Sequence, residues 1–330
     1  MTETKKIKTI GILTSGGDAP GMNAAIRSVT LNAIRRGIRV LGIRHGYQGL
    51  FDKNIYELTE ESVSDILARG GTVLYSARFP EFKEQSVINA CAENCKQFGI
   101  DGIVAIGGDG TFRGARDLTL AGVPCIGIPG TIDNDIVCSD YTLGFDTAIN
   151  TCISSIDRIT DTSQSHDRCT VVEIMGAGAG HLALAVGVAV GATAILVPER
   201  EIDLRDIADR IEKIKLSNKR HFVIAVAEGC KKKQNVTIEQ VAEFIEKETG
   251  IESKTCVLGH VQRGGSPTGT DRVMAAKFGD YAVDLLCKNI SSCVVVTEKE
   301  KILHIDIVEA LQRKKYIDAE LFAIADRVHQ

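Results

Sequence analysis

Short runs of aliphatic and β-branched residues recur along the chain, each followed by a glycine-rich turn or a longer stretch with helical spacing. The runs are IKTIGIL (7–13), leading to a helical pattern over Asn23 to Arg36, then IRVLGIR (38–44), GIVAIGG (102–108), VPCIGIPG (123–130), TVVEIMG (170–176), TAILVPE (193–199) and HFVIAVAEG (221–229). They are nearly continuous in apolar character rather than alternating, the signature of parallel strands covered on both faces by helices. An α/β architecture follows, with its chemistry expected at the carboxyl ends of the strands. Glycines support that placement because they cluster just after the runs, where the chain must turn sharply. The order strand, glycine-rich turn, helix occurs early and again in the middle, which predicts two similar sheets, a boundary near residue 140, and a return of Cys256 to Arg272 to the first domain. The longest apolar stretch, Leu182 to Val197, is interrupted by Gly187 and Gly191. It falls short of the roughly 20 residues a membrane span needs and reads as a buried helix leading into a strand.

Composition narrows the picture. The 330 residues are 44% hydrophobic and 25% charged, ordinary for a globular chain and long enough for two domains. A net charge of -4, with both signs interspersed, gives no basic stripe to neutralise a nucleic-acid backbone, so no nucleic acid is expected as partner. The ten cysteines are scattered without a CxxC pair, which predicts reduced, mostly buried thiols in a cytoplasmic protein. The opening MTETKKIKTIGIL runs straight into a strand pattern and shows neither an export signal nor a membrane segment. Lys231-Lys232-Lys233 is expected to be a solvated loop.

Four segments could carry chemistry. Thr14-Ser15-Gly16-Gly17-Asp18-Ala19-Pro20-Gly21-Met22-Asn23 follows the first strand, where glycines admit an anion to the backbone and the next helix offers its positive end. Met22 and Asn23 stand where a P-loop needs lysine and serine or threonine, and a tight strand-to-helix turn would use the same glycines. Gly107-Gly108-Asp109-Gly110-Thr111 sets three glycines around one carboxylate, a pattern suited to a nucleotide triphosphate with Asp109 serving a magnesium ion; capping alone accounts for the aspartate but not the glycines. In Gly130-Thr131-Ile132-Asp133-Asn134-Asp135, an extended segment would aim both aspartates the same way, about 7 Å apart. One carboxylate could then accept a proton from an attacking hydroxyl while Thr131 bonds a phosphoryl oxygen; an Asx-rich turn is the alternative. Arg78, Arg168 and Arg263, the last in Gly259-His260-Val261-Gln262-Arg263-Gly264-Gly265-Ser266-Pro267, are candidate phosphate clamps.

Taken together, TSGGDAPGMNAAIR, RGGT with SARFPEF, IGGDGT, PGTIDND, DTSQSHDR and VLGHVQRGGSP closely resemble the bacterial ATP-dependent 6-phosphofructokinases, in the family's order and over essentially the whole chain. The resemblance implies two Rossmann-like three-layer α/β/α domains with mostly parallel sheets, the phosphofructokinase fold. An ATP-binding larger domain would comprise 1–143 plus about 261–310, and a sugar-phosphate-binding smaller domain 144–260 plus about 311–330. It implies transfer of the ATP γ-phosphoryl group to fructose 6-phosphate in glycolysis, with Mg2+, by an allosteric homotetramer whose active sites are shared across a subunit interface. Asp133 then matches the base, assisted by Thr131 and Asp135, and Asp109 matches the metal ligand. Gly17, Arg78, Phe79, Gly108, Asp109, Gly110 and Thr111 match the nucleotide site. Thr131, Ile132, Asp133, Arg168, Met175, Gly176, Glu228, Lys254, His260 and Arg263 match the substrate site, with the residue at Arg168 reaching in from a neighbouring subunit. Glycine at 110 and 130, where pyrophosphate-dependent relatives typically have aspartate and lysine, favours ATP as donor.

Two departures bear on substrate affinity: Ala177 replaces an arginine beside the reacting phosphates, and Lys254 replaces a second subunit-crossing arginine. Lysine keeps the charge but loses the bidentate fork, so weakened or altered sugar-phosphate affinity is expected. In the effector pocket Arg27, Lys219 and Arg220 remain, whereas Leu31, Glu60, Thr160 and Thr193 replace three arginines and a metal-binding glutamate. Insensitivity to ADP and phosphoenolpyruvate, or a response to a different ligand, is expected. The alternatives are the same chemistry on tagatose 6-phosphate or sedoheptulose 7-phosphate, or a regulatory subunit with little activity.

Overall fold

The structure, a computed structural model, describes residues 6–217 and 219–328; the opening residues 1–5 of the N-terminal reading lie outside it. Among the described residues it contains eleven strands: β1 Thr9–Ser15, β2 Arg39–Ile43, β3 Ile55–Glu57, β4 Gly102–Gly107, β5 Cys125–Pro129, β6 Cys169–Ile174, β7 Ala194–Leu196, β8 Phe222–Ala227, β9 Ser253–Val257, β10 Cys293–Glu298 and β11 Lys301–Asp306. The chain divides into two compact units. One comprises the described part of Met1–Ile132 with Ile136–Thr147 and Arg263–Lys315; the other comprises Asp133–Asp135, Ala148–Gln262 and the described part of Tyr316–Gln330.

The first unit is built on a seven-stranded sheet of order β11-β10-β5-β4-β1-β2-β3. Its five central strands are parallel, and the edge pairs β2/β3 and β10/β11 are antiparallel. β1, β4 and β5 are buried along their whole length, which is why they read as continuous apolar runs. The chain leaves β1 toward β2 on one side and later reaches β4 on the other, so β1 and β4 flank the switch point where open α/β sheets bind ligands. Registers Ser15↔Gly107 and Gly107↔Pro129 end β1, β4 and β5 level with one another.

The second unit holds a four-stranded, wholly parallel sheet of order β7-β8-β6-β9. β8 is buried throughout, whereas β9, at the sheet edge, exposes most of its side chains. The apolar stretch after Gly180 forms the helix His181–Ala189 and then β7. Among the described residues, no helix is long and apolar enough to cross a membrane.

Two local expectations are corrected. Lys231-Lys232-Lys233 lies in the short helix Gly229–Gln234, exposed but helical, ended by Asn235 in the left-handed region (φ 55°). The segment after β5 is not extended: Asn134 has φ 48°, a left-handed turn that asparagine tolerates, so simple alternation does not set the directions of Asp133 and Asp135. The thiols behave as expected in one respect: all ten cysteines are free, eight are buried, and only Cys256 and Cys287 reach the surface. Burial pushes the Cys91, Cys95, Cys125, Cys152, Cys169, Cys230 and Cys293 thiols up to about 12.

Candidate active site

The level strand ends of the first unit bring three glycine-led turns side by side: Gly16-Gly17 after β1, Gly108-Asp109 after β4 and Gly130-Thr131 after β5. Contact between the turns is direct. Gly130 donates its amide to the Gly107 carbonyl at 3.0 Å, and the Thr111 hydroxyl donates to the Ser15 carbonyl at 3.0 Å. A Cβ on Gly107 would stand 2.4 Å from that same Ser15 carbonyl oxygen and 2.3 Å from Thr111 Oγ1, so no side chain fits there. Thr111 therefore clamps β1 to β4 from inside, and its own carbonyl accepts the buried Tyr47 hydroxyl at 2.5 Å.

Gly16, Gly17, Asp18, Thr72, Tyr75, Ser76, Arg78 and Arg263 line a cleft of about 400 Å³ in this unit. Arg263 lies against Gly17: a Cβ added to Gly17 would be 3.0 Å from Arg263 Nη1. Glycine here lets a guanidinium lie directly on the backbone. Arg263 Nε is buried with no hydrogen-bond partner among the described residues, and such a donor suits an anion. Arg78, also in the lining, is exposed, and the Phe79 ring packs against Phe51 and Phe82.

Gly108 caps the helix Asp109–Leu120 without a side chain, so no side-chain acceptor occupies this helix start, the end that favours a phosphate, although the Thr111 amide already bonds the Gly108 carbonyl at 3.0 Å. Asp109 does not cap it; its carboxylate is half-exposed and accepts from Arg113 Nε at 2.8 Å. Gly110 has open space where a side chain would stand, whereas a Cβ on Gly130 would meet Ile106 and Met22 at 3.2 and 3.3 Å. After Gly130, Thr131 is half-buried and Ile132 is buried. Thr131 is held through its carbonyl, which accepts the Thr142 hydroxyl at 2.7 Å.

Asn23 was readable in the sequence only as a departure from the P-loop pattern. It is buried, its side-chain amide donates to the Arg69 and Gly70 carbonyls at 3.0 and 3.1 Å, and its oxygen accepts from the Val73 amide at 2.8 Å. The loop carrying RGGT is thereby tied to the helix that follows the first glycine turn. Gly70 in turn abuts Gly265, and Ser266 donates to the Ala68 carbonyl at 2.8 Å, so the turn after Arg263 rests on the same loop.

In the second unit Met175, Gly176 and Glu228 gather at the carboxyl ends of β6 and β8, where Ile174 pairs with Ala227, whereas Arg168 and Lys254 lie at the opposite, amino end of β6, beside Thr170. Glu228 accepts from the Gly176 and Ala177 amides at 3.2 and 2.7 Å, pinning a turn in which Gly176 has φ 144° and Ala177 φ 53°. Burial, reinforced by Glu228, raises the Glu173 carboxyl above its ordinary range. Gln262, absent from the expected site residues although within the quoted motif, is fully buried; its oxygen accepts from the Met175 amide at 3.1 Å and its nitrogen donates to the Gly259 carbonyl at 3.0 Å. It fixes the helical turn Gly259–Arg263, on which His260 is exposed. Arg168 and Lys254 both reach Glu252. Asp133 and Asp135, half-buried, belong to this unit. Of the effector residues, Arg27 lies in the first unit and Lys219 and Arg220 in the second, where Arg220 pairs loosely with Asp167 at 3.5 Å.

Residues 9–286 match the phosphofructokinase family. The chain is 49% identical over 322 residues to an ATP-dependent 6-phosphofructokinase of Halalkalibacterium halodurans, covering 98% of this chain and 99% of that protein. Among solved structures it resembles phosphofructokinase from Saccharomyces cerevisiae (TM-score 0.87, 31% identity over 97% of this chain) and from Pichia pastoris (TM-score 0.88, 30% identity over 99%). It spans only 46% and 39% of the length of those two yeast chains.

Proposed function

Because the chain belongs to the phosphofructokinase family, we propose that it transfers the γ-phosphoryl group of ATP to the 1-hydroxyl of fructose 6-phosphate, a step of glycolysis. In this reaction the bond from the γ-phosphorus to the bridging oxygen breaks, a bond to the sugar oxygen forms, ADP leaves, and the hydroxyl proton passes to a base. The observation that carries the reading is the level ending of β1, β4 and β5, which sets three glycine-led turns side by side, the first of them lining a cleft in which Arg263 is laid on Gly17. Such a cleft suits a polyphosphate, and the open space at Gly110 with the close packing at Gly130 favours ATP over pyrophosphate chemistry that places a lysine there.

We assign ATP to the first unit through Gly17, Arg78, Phe79, Gly108, Asp109, Gly110 and Thr111, and the sugar phosphate to Met175, Gly176, Glu228, His260, Arg263, Arg168 and Lys254. Asp133 is the general base, two residues beyond Thr131, whose carbonyl is braced by Thr142. Asp135 assists. Among the described residues no cluster of three metal-ligating side chains exists, but Mg2+ in kinase sites is held by one or two carboxylates plus the nucleotide phosphates. The half-exposed Asp109 carboxylate at the mouth of a phosphate-binding helix fits that role, and the ion bound there would neutralise charge on the phosphates. A cytoplasmic homotetramer completes the reading, with Arg168 and Lys254 serving a neighbouring subunit's sugar phosphate. The exposed methyl of Ala177, in place of a cation, supports a second reading in which another ketose phosphate is the acceptor.

A coupled assay with ATP or pyrophosphate over fructose 6-phosphate, tagatose 6-phosphate and sedoheptulose 7-phosphate tests these readings. The expected result is ATP-dependent turnover of fructose 6-phosphate, reduced by about 10²–10⁴-fold in Asp133→Asn. Turnover unaffected by that change would remove Asp133 as the base.

A further inference from the structure

Asp271 is fully buried in the first unit, 0% exposed, four residues beyond the Pro267 that closes the Arg263 motif and itself outside the expected site residues. Its two oxygens each receive two donors. Oδ1 accepts from the Tyr141 hydroxyl at 2.6 Å and the Gly144 amide at 2.7 Å; Oδ2 accepts from the Thr147 amide at 3.0 Å and the Thr147 hydroxyl at 2.5 Å. Four donors on one side chain match a carboxylate, which is an acceptor-only group. Burial raises its carboxyl above the usual range, and the four hydrogen bonds oppose that effect. The negative charge also lies in the first turn of the 19-residue helix Gly269–Cys287, where the helix dipole favours it and where Thr268 caps the Asp271 amide.

What Asp271 holds is the segment 141–147, and that segment braces the turn after β5. Leu143 donates its amide to the Pro129 carbonyl at 2.9 Å and forms a bridge with Gly130, while the Thr142 hydroxyl donates to the Thr131 carbonyl at 2.7 Å. Gly144, the next residue, donates directly to Asp271 and cannot be replaced without strain: its φ is 101° and a Cβ would stand 2.7 Å from that of Ala19. The carboxylate is therefore one residue removed from the backbone pairing that fixes Gly130 and two removed from the hydroxyl that fixes Thr131. On its other side the helix it belongs to begins six residues after Arg263, and Arg272 donates to the Pro267 carbonyl at 2.8 Å and to Ser266 Oγ at 2.8 Å.

We propose that Asp271 is a positioning residue for phosphoryl transfer, locking segment 141–147 so that Gly130 and Thr131, from which the chain runs on to Asp133, are held in one geometry. The proposal rests on the phosphofructokinase reading for its kinetic consequence but not for the order it predicts in the turn itself. A purely structural carboxylate would affect thermal stability alone. A positioning one lowers kcat in molecules that are folded, leaves the KM for both substrates nearly unchanged, and loosens the turn.

The test uses the full-length protein with Asp271→Asn, Tyr141→Phe and Thr147→Val. Asparagine would keep one accepting oxygen and turn an amide NH2 toward the other pair of donors; the other two variants each leave part of the network in place and keep the question open to measurement if Asp271→Asn does not fold. Steady-state kinetics are measured beside hydrogen exchange of the peptide covering 129–136. Expected are a fall in kcat of about 10²-fold for Asp271→Asn and a few-fold for each partner variant, KM values within about twofold, and faster exchange at 129–136 with β1 unchanged. Wild-type kcat in any folded Asp271 variant, or partner variants that lower only the thermal midpoint, would overturn the proposal. Faster exchange without any wild-type turnover would leave the positioning intact and remove the functional reading instead.

Discussion

Arg168 and Lys254 are held by opposite oxygens of a single carboxylate: Glu252 accepts from Arg168 Nε through Oε2 at 2.7 Å and from Lys254 Nζ through Oε1 at 2.8 Å. Parallel pairing of β6 with β9, in which Thr170 faces Lys254, brings the three together. The two hydrogen-bonded cations pull the Glu252 carboxyl down to about 2.

If both cations serve a sugar phosphate, Glu252 competes with it. Glu252→Gln is expected to lower the KM for fructose 6-phosphate, by up to about fivefold, with kcat unchanged, as measured by steady-state titration. A raised KM would instead mean that the carboxylate orients the cations.

The same triad sets a pH expectation. The folded carboxyl titrates below its unfolded value, so the stability it contributes is complete above the ordinary glutamate range near 4.3 and is lost as pH falls through about 2. NMR titration should find Glu252 still ionised at a pH of about 3, and Arg168→Ala should move it back toward the ordinary range. Because the group is exposed, its effect on the unfolding midpoint will be small.

Two glycines of one turn should respond in opposite ways. Gly107→Ala forces a Cβ into the Ser15 carbonyl and should destabilise by about 1–3 kcal/mol or more, seen as a lowered thermal midpoint. Gly110→Ala meets open space and should leave the midpoint within about 0.5 kcal/mol of the wild type, while any change appears in the KM for ATP.

Asn23→Ala removes three hydrogen bonds that hold the loop at 69–73. A cost of about 1–3 kcal/mol for the groups left unpaired is expected by calorimetry, with a raised KM for ATP because the cleft shares Thr72 with that loop.

Ala177 already occupies the left-handed region at φ 53° and is exposed, so Ala177→Arg adds a cation without new backbone strain. An increase of about tenfold in kcat/KM for fructose 6-phosphate is expected. No change would indicate that the phosphates are fully compensated by Arg78 and Arg263.

Much of this was legible in the sequence where burial is uniform. β1, β4, β5, β6 and β8 announced themselves because both faces are covered, leaving little room for polar residues. β9 did not, since an edge strand reading SKTCV exposes most of its side chains, and β3 is only three residues long. The Asp133–Asp135 alternation failed on a single backbone angle, that of Asn134. Asp271 and Thr142 were silent for a different reason: their roles are fixed by partners brought together by tertiary structure, 124 to 130 residues away for Asp271. No local pattern of residues encodes that.

The distribution of thiols has a practical consequence. With seven cysteines pushed to about 12 by burial, thiolate is scarce in the interior at neutral pH, and alkylating reagents have little to attack there. Cys287, the one exposed cysteine among the described residues, ends the helix that carries Asp271. A maleimide dye placed on it would report on that helix with no other cysteine needing to be engineered away, save the partly exposed Cys256.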